Sequence, residues 1–222
     1  MPSRLKFFYG PMDCGKSTLA LQFNHNHARQ GRTGLVLTRY DRSGGPVVTT
    51  RVGLRHDAIE VTDELDLRQL VRQRWAGGQD VDYLIVDEAG FLNPEHVVQL
   101  AELVDDNHVD VYCFGLLTDF RGELLPGAKR LVELADELAA IQVEVLCWCG
   151  QEGRFNARVI GGRMVHDGAT VVVADTDTIE GHTPPHVRYQ VLCRTHYRHS
   201  DLGRPPLPGQ LTFDEADGRI VT

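Results

Sequence analysis

Gly10-Pro11-Met12-Asp13-Cys14-Gly15-Lys16-Ser17-Thr18 places a glycine-bounded loop directly before a lysine and two hydroxyls, after the apolar run "RLKFFY" and ahead of the helical pattern "STLALQFNHNHARQ". That order, strand then G-x-x-x-x-G-K-S then helix, suits binding of a phosphate chain. Glycines let backbone N–H groups turn inward on an anion, and the following helix offers its positive end to the same point. Lys16 would reach the terminal phosphates and Ser17 would offer a hydroxyl to Mg2+, while Asp13 must turn its carboxylate away. Downstream, "DYLIVDE" ends a buried-type strand in two acids. Asp87 there can hold the magnesium shell and Glu88 can stand over a reacting phosphate. An acid beside the metal acid acts as base toward water in an ATPase and toward a substrate hydroxyl in a kinase, and the motif alone leaves both open.

A second group has the chemistry of metal ligands. Cys147 and Cys149 in "LCWCG", with Cys193 and His196 in "LCRTH", offer three thiolates and an imidazole, a normal Zn2+ set. Four protein ligands leave no place for a reactive water, so the expected role is structural. The C-x-C half demands a tight bend at Trp148, because zinc knuckles usually carry C-x-x-C. Cys14 and Cys113 read as a loop residue and a core strand residue.

These residues need elements to hold them. "RLKFFY", "GLVLT", "DYLIVD", "VDVYCFG" and "IQVEVL" have the composition of strands,. Between them lie helical patterns: "STLALQFNHNHARQ" and "LRQLVRQRW", each stopped by glycine, "PEHVVQLAELV", which opens on Pro94, and "AKRLVELADEL" after Gly127,. That rhythm predicts an α/β fold with a parallel sheet covered by helices on both faces over residues 1–145. After Cys147 the texture changes to "ARVI", "TVVVA" and "YQVL", separated by "GGRMVHDG" and the polar stretch "DTDTIEGHTPPH". Residues 146–200 therefore read as a small zinc-binding β subdomain with a long loop, and 201–222 as an extended or loosely docked tail rich in proline, glycine and acids.

Composition narrows the classes. The 222 residues are 42% hydrophobic with a formal net charge of −8, values of an ordinary globular chain that lacks the basic surface of a nucleic-acid binder. No apolar run approaches the ~18 residues of a membrane span and no secretory pattern opens the chain, so the expected address is the cytoplasm, with no membrane partner. Five cysteines in such a chain point to metal or reactivity before disulfides,.

Taken in order, "GPMDCGKST", "DEAGF", "GLLTDFRGE" followed by "LPGA", and "CWCG" paired with "CRTH" resemble the thymidine kinase family of the bacterial and animal-cytosolic type. The likeness runs from about Phe8 to His196. It implies a RecA-like P-loop domain, a zinc-tethered lasso that closes over the nucleoside, a homotetramer, and ATP- and magnesium-dependent phosphorylation of the 5′-hydroxyl of thymidine or deoxyuridine. Glu88 falls on the family's catalytic base, and Lys16, Ser17 and Asp87 on its phosphate and metal positions. Arg42 in "YDRSGG" approximates an arginine near the phosphates, with D-x-R contracted to Asp41-Arg42. Met12, Phe91, Leu116, Phe120, Asn156 and Tyr189 match the nucleoside pocket, and Asn156 to Tyr189 is the expected lid. Gly90 stands where the family most often has glutamine, C-x-C replaces C-x-x-C, and Leu125 replaces an aromatic beside Pro126-Gly127. Two rival readings are a RecA-like ATPase coupled to a polymer or protein partner, and a zinc-ribbon interaction module that binds nucleotide without turnover.

Overall fold

The computed structural model describes residues 2–39, 47–50, 53–168 and 187–203, with the backbone of 212–214 and 219–221. In chain order the elements are β1 (Leu5–Tyr9), α1 (Lys16–Arg29), β2 (Gly34–Thr38), β3 (Val47–Thr49), β4 (Arg55–Asp57), β5 (Ile59–Glu60), α2 (Leu67–Ala76), β6 (Tyr83–Asp87), α3 (Pro94–Asn107), β7 (Asp110–Gly115), α4 (Pro126–Leu134), β8 (Glu137–Ala140), β9 (Phe155–Ile160), β10 (Arg163–Val165), β11 (Val187–Leu192), α5 (Arg194–Arg198), β12 (Thr212–Asp214) and β13 (Arg219–Val221). Six strands form one sheet in the order β5-β2-β6-β7-β1-β8, with every pairing parallel.

Strand alternation sends successive side chains to opposite faces. Tyr83 and Ile85 of β6 and Tyr112 and Phe114 of β7 meet Ala20 and Leu21 of α1. Leu84, Val86, Val111 and Cys113 pack on the other face with residues of α2, α3 and α4, including Val71, Leu100 and Leu131. Both faces of the central strands are therefore buried, which is why "YLIVD" carries no polar alternation before its last residue,.

The last strand of the sheet corrects one expectation. "IQVEVL" forms no strand, and the expected helical run "AKRLVELADEL" stops at Leu134. Asp136 is captured by the start of β1: its carboxylate accepts from Leu5 N at 2.8 Å, and its own N–H donates to Leu5 O at 2.9 Å. Those bonds bring Glu137–Ala140 onto β1 as the edge strand, with Lys6 paired to Glu137 at 2.7 Å.

Beyond it, β10-β9-β11 make a three-stranded antiparallel sheet, and α5 follows β11 directly. The strand β10 lies inside "GGRMVHDG", a stretch whose glycines read as a spacer between strands. "TVVVA", Arg42 and positions 169–186 of the expected lid lie outside the described residues. In the tail, β12 and β13 pair antiparallel. No helix among the described residues is long and apolar enough to cross a membrane.

Candidate active site

The loop from Gly10 to Gly15 joins β1 to α1 at the C-terminal edge of the sheet, where open parallel sheets place their ligands,. Gly15 caps α1 with φ +80°, a left-handed conformation cheap for glycine, and Asp13 holds φ +69° without that advantage,. At Gly10 a side chain has no room, since a Cβ would lie 2.5 Å from Cys14 Sγ. Cys14 is buried beneath the loop and its burial raises the thiol's pKa, an effect that Lys16 partly opposes. It is a packing residue in a tight turn, without the thiolate character of a nucleophile. Lys16 is 9% exposed, and its ammonium donates to Pro11 O at 2.8 Å. The cation is thus parked inside the loop it would leave for a phosphate.

Across from the loop, β6 ends in Asp87, which is buried and accepts the Glu88 N–H at 3.0 Å. Glu88 takes a left-handed conformation, φ 53° and ψ 31°, and a single 3-10 turn over Ala89–Phe91 follows. Such a conformation at a non-glycine residue is held by its surroundings. Here it turns Glu88 out of the strand line at the sheet edge.

Loop and strand end border the same cavity, of about 400 Å³. Met12, Asp13 and Gly15 to Thr18 line one side, and Glu88, Phe91 and Leu116 line the other. Thr49 and Thr50 border it too; two threonines at the end of a three-residue strand carry no motif that would mark them in the sequence. Of the residues matched to a nucleoside pocket, Met12, Phe91 and Leu116 therefore sit on this cavity. Phe120, Asn156 and Tyr189 are not on its lining: Asn156 bonds to Met12, which is, and Phe120 and Tyr189 meet through Arg158. Asn156 is 3% exposed and its Oδ1 accepts Met12 N–H at 2.8 Å. Phe120 stacks under the guanidinium of Arg158 at 3.6 Å, and Tyr189 accepts from Arg158 Nε at 3.0 Å.

The ligand atoms of Cys147, Cys149, Cys193 and His196 lie within 4.8 Å of one another. Tetrahedral zinc, with bonds of about 2.3 Å to sulfur and about 2.0–2.1 Å to nitrogen, spaces its ligand atoms about 3.5–3.8 Å apart. The observed separations are 3.4 Å for Cys147 Sγ to His196 Nδ1, 3.3 Å for Cys193 Sγ to His196 Nδ1, and 4.0 Å for Cys149 Sγ to Cys193 Sγ. The donor set fits the ion. The C-x-C half is made possible by a turn in which Gly150 N–H returns to Cys147 O at 2.8 Å and Gly150 adopts φ +82°. Trp148 packs on the His196 ring, centroids 4.2 Å apart, and donates to Asp201 O at 3.1 Å. Asp201 Oδ2 also lies 3.9 Å from His196 Nε2, near the ring but beyond hydrogen-bond distance,.

A protein-family profile described as thymidine kinase matches residues 3–197. The chain belongs to the thymidine kinase family.

It is 52% identical over 194 residues to a thymidine kinase of Streptomyces coelicolor, covering 87% of this chain and 88% of that one. Identity to a thymidine kinase of Cutibacterium acnes is 49% over 216 residues, covering 96% and 98%, and to one of Rhizobium etli 35% over 198 residues, covering 88% and 93%. Against this thymidine kinase background the departures acquire physical meanings. Gly90 does not border the cavity. A Cβ there would collide with Leu116 O and come within 3.0 Å of Leu125 Cδ1, and one at Gly115 would lie 2.7 Å from Gly90 N. Both positions are places of backbone approach. Leu125 is buried against that junction and belongs to the main apolar cluster.

Proposed function

We propose that the protein transfers the γ-phosphoryl group of ATP to the 5′-hydroxyl of thymidine or deoxyuridine. The observation that carries this reading is the shared cavity: a phosphate loop on one wall, and a carboxylate with apolar side chains on the other. An ATPase needs the first wall and a base, whereas the apolar surface of Met12, Phe91 and Leu116 suits a flat pyrimidine.

In this mechanism Lys16 leaves the Pro11 carbonyl for the β- and γ-phosphates, while the loop amides hold the phosphate oxygens,. Glu88 accepts the proton of the 5′-hydroxyl as that oxygen attacks. Ser17 and Asp87 are hard oxygen donors at the loop and strand end, a set that fits Mg2+, which when bound neutralises charge on the phosphates. Asp87 also fixes the Glu88 backbone through the bond to its N–H. Positioning supplies most of the rate, because a loose phosphoryl transition state needs little covalent help. Met12 joins the two halves, with its side chain on the cavity and its N–H held by Asn156.

We read residues 1–145 as the nucleotide unit, 146–200 as a zinc-held unit bearing the lid, and 201–222 as a tail. Zn2+ at the cysteine cluster is structural in this reading. The protein acts in the cytoplasm as a homotetramer, without a nucleic-acid or membrane partner. Self-association is supported by an edge strand, β8, with Leu138 exposed, and by exposed Val132, Val143 and Leu146,.

The test is incubation of the purified protein with labelled ATP, magnesium and each of the four deoxynucleosides. The expected product is thymidine monophosphate. ATP hydrolysis that needs no nucleoside and is stimulated by a polymer would replace this reading with the motor ATPase.

A further inference from the structure

Arg158 is the largest fully buried side chain among the described residues, at 1% exposure. It stands mid-strand in "NARVI", where the sequence suggests nothing beyond a strand position. A guanidinium removed from water is costly unless its donors and its planar face are engaged. Its face lies 3.6 Å from the centroid of the Phe120 ring, and its Nε donates to the Tyr189 hydroxyl at 3.0 Å. Tyr189 is its direct partner across the antiparallel pairing of β9 with β11.

Strand geometry gives that contact a direction. Asn156 and Arg158 share one face of β9, and the intervening Ala157 points to the opposite face, into the cluster of Cys147, Cys193 and Tyr197,. The strand is thus two-sided, with the cysteine-lined core on one side and the Met12 amide and Phe120 ring on the other. Phe120 reaches this face from the segment after β7, and Tyr189 from β11. Arg158 touches both.

We propose that Arg158 is a positioning residue for the nucleoside: it fixes the Phe120 ring by stacking and the Tyr189 hydroxyl by hydrogen bonding, in register with β9 and hence with Met12. This rests on the nucleoside kinase reading and extends it to a residue that takes no part in phosphate chemistry. The bond also sets polarity. Because the Tyr189 oxygen accepts from Arg158, its own proton is left to be donated elsewhere,. A cation over an aromatic face supplies attraction as well as orientation.

The experiment is steady-state kinetics, with thymidine and ATP varied separately, for wild type, R158Q, R158K, Y189F and R158Q/Y189F. The expected result for R158Q is a thymidine KM raised about tenfold or more while the ATP KM stays within about twofold. R158K keeps a cation over Phe120 and should recover part of that loss. The double variant should fall well short of the product of the two single effects, because both changes cut the same bond. Equal changes in both KM values, or fully multiplicative effects in the double variant, would overturn the proposal. Should R158Q fail to fold, R158K and Y189F carry the same requirement of a selective rise in thymidine KM. A wild type that phosphorylates no deoxynucleoside ends the kinase reading and this one together, whereas an active wild type with indifferent Arg158 variants ends this one alone.

Discussion

The face of the six-stranded sheet under α2, α3 and α4 buries a continuous apolar cluster that runs from Leu5 through Leu84 and Leu100 to Leu131. The three-stranded sheet shelters a much smaller one, in which Cys147 and Cys193 accompany Ala157, Leu192 and Tyr197. Burial of a Leu, Val or Phe side chain stabilises by about 1.5–3 kcal/mol, so the larger sheet has far more hydrocarbon to set against chain entropy,. The smaller lacks that material, and two members of its core are candidate metal ligands. Binding free energy of a structural metal is then folding free energy for that region. Tyr197 of α5 links the two: it packs with Cys147 and Cys193, stacks on Phe155 at 4.6 Å, and donates to Phe120 O at 2.7 Å. The region that carries the candidate metal ligands therefore also holds Phe120 in place, while the larger sheet carries the phosphate loop.

The sharpest separation of chemistry from architecture is Glu88→Gln. Both regions should fold as before and ATP should bind within about threefold of wild type, while kcat falls by roughly 10²–10⁴. Calorimetric titration with a non-hydrolysable ATP analogue, paired with product formation, checks both halves. Retained turnover would remove Glu88 as the base.

Cys193→Ser asks whether the regions part as the comparison says. It should lose the metal, weaken thymidine binding by roughly 10–100-fold, and leave nucleotide affinity within about twofold. Elemental analysis and two titrations decide it. Metal content unchanged at one per chain would defeat the assignment of the ligands, and equal losses for both substrates would defeat the division of labour.

Gly90→Gln works on the larger region alone. Restoring the residue common in the family places a Cβ against Leu116 O and Leu125, and overpacking of this kind costs about 1–3 kcal/mol. The melting temperature should drop while metal content stays constant. A variant as stable as wild type would show that Leu116 and Leu125 yield easily, and would return Gly90 to the question of pocket specificity.

What could be read in advance follows from how local the deciding contact is. β6 was legible because burial on both faces demands an uninterrupted apolar run, and the Lys16 loop because its glycines answer a backbone requirement within nine residues,. The grouping of Cys147, Cys149, Cys193 and His196 was legible from residue type and spacing. β8 was not, because its residues carry a helix-like pattern and the decision is made by Asp136 bonding to Leu5 at the far end of the chain. β4 and β5 are two or three residues each, mostly exposed, and too short for periodicity to register. Arg158 looks like a surface residue until Phe120 comes to meet it through the fold.

The smallest effect expected lies at the rim of the larger region, where it tests whether local capping adds anything to a large hydrocarbon core. Asp66 caps α2: its side chain accepts from Arg68 N at 2.9 Å and Gln69 N at 3.0 Å. Its carboxyl is held down to about 2, first by the Arg68 side chain and then by the Gln69 amide. A depressed carboxyl stabilises the fold above its unfolded value, near pH 4, and that contribution fades as pH falls from about 4 toward 2. Asp66→Ala should cost about 1 kcal/mol at neutral pH, with the gap to wild type closing in acid. Asp66→Asn keeps the cap without the titration, so it should retain most of the stability and lose the pH dependence. The Arg68 pairing is partly exposed and screened, so its share of the stability is smaller than its share in holding the carboxyl down,. Urea melts across pH 2–7 give the answer, and an asparagine variant as unstable as the alanine one would mean that the ion pair, not the cap, holds the start of α2.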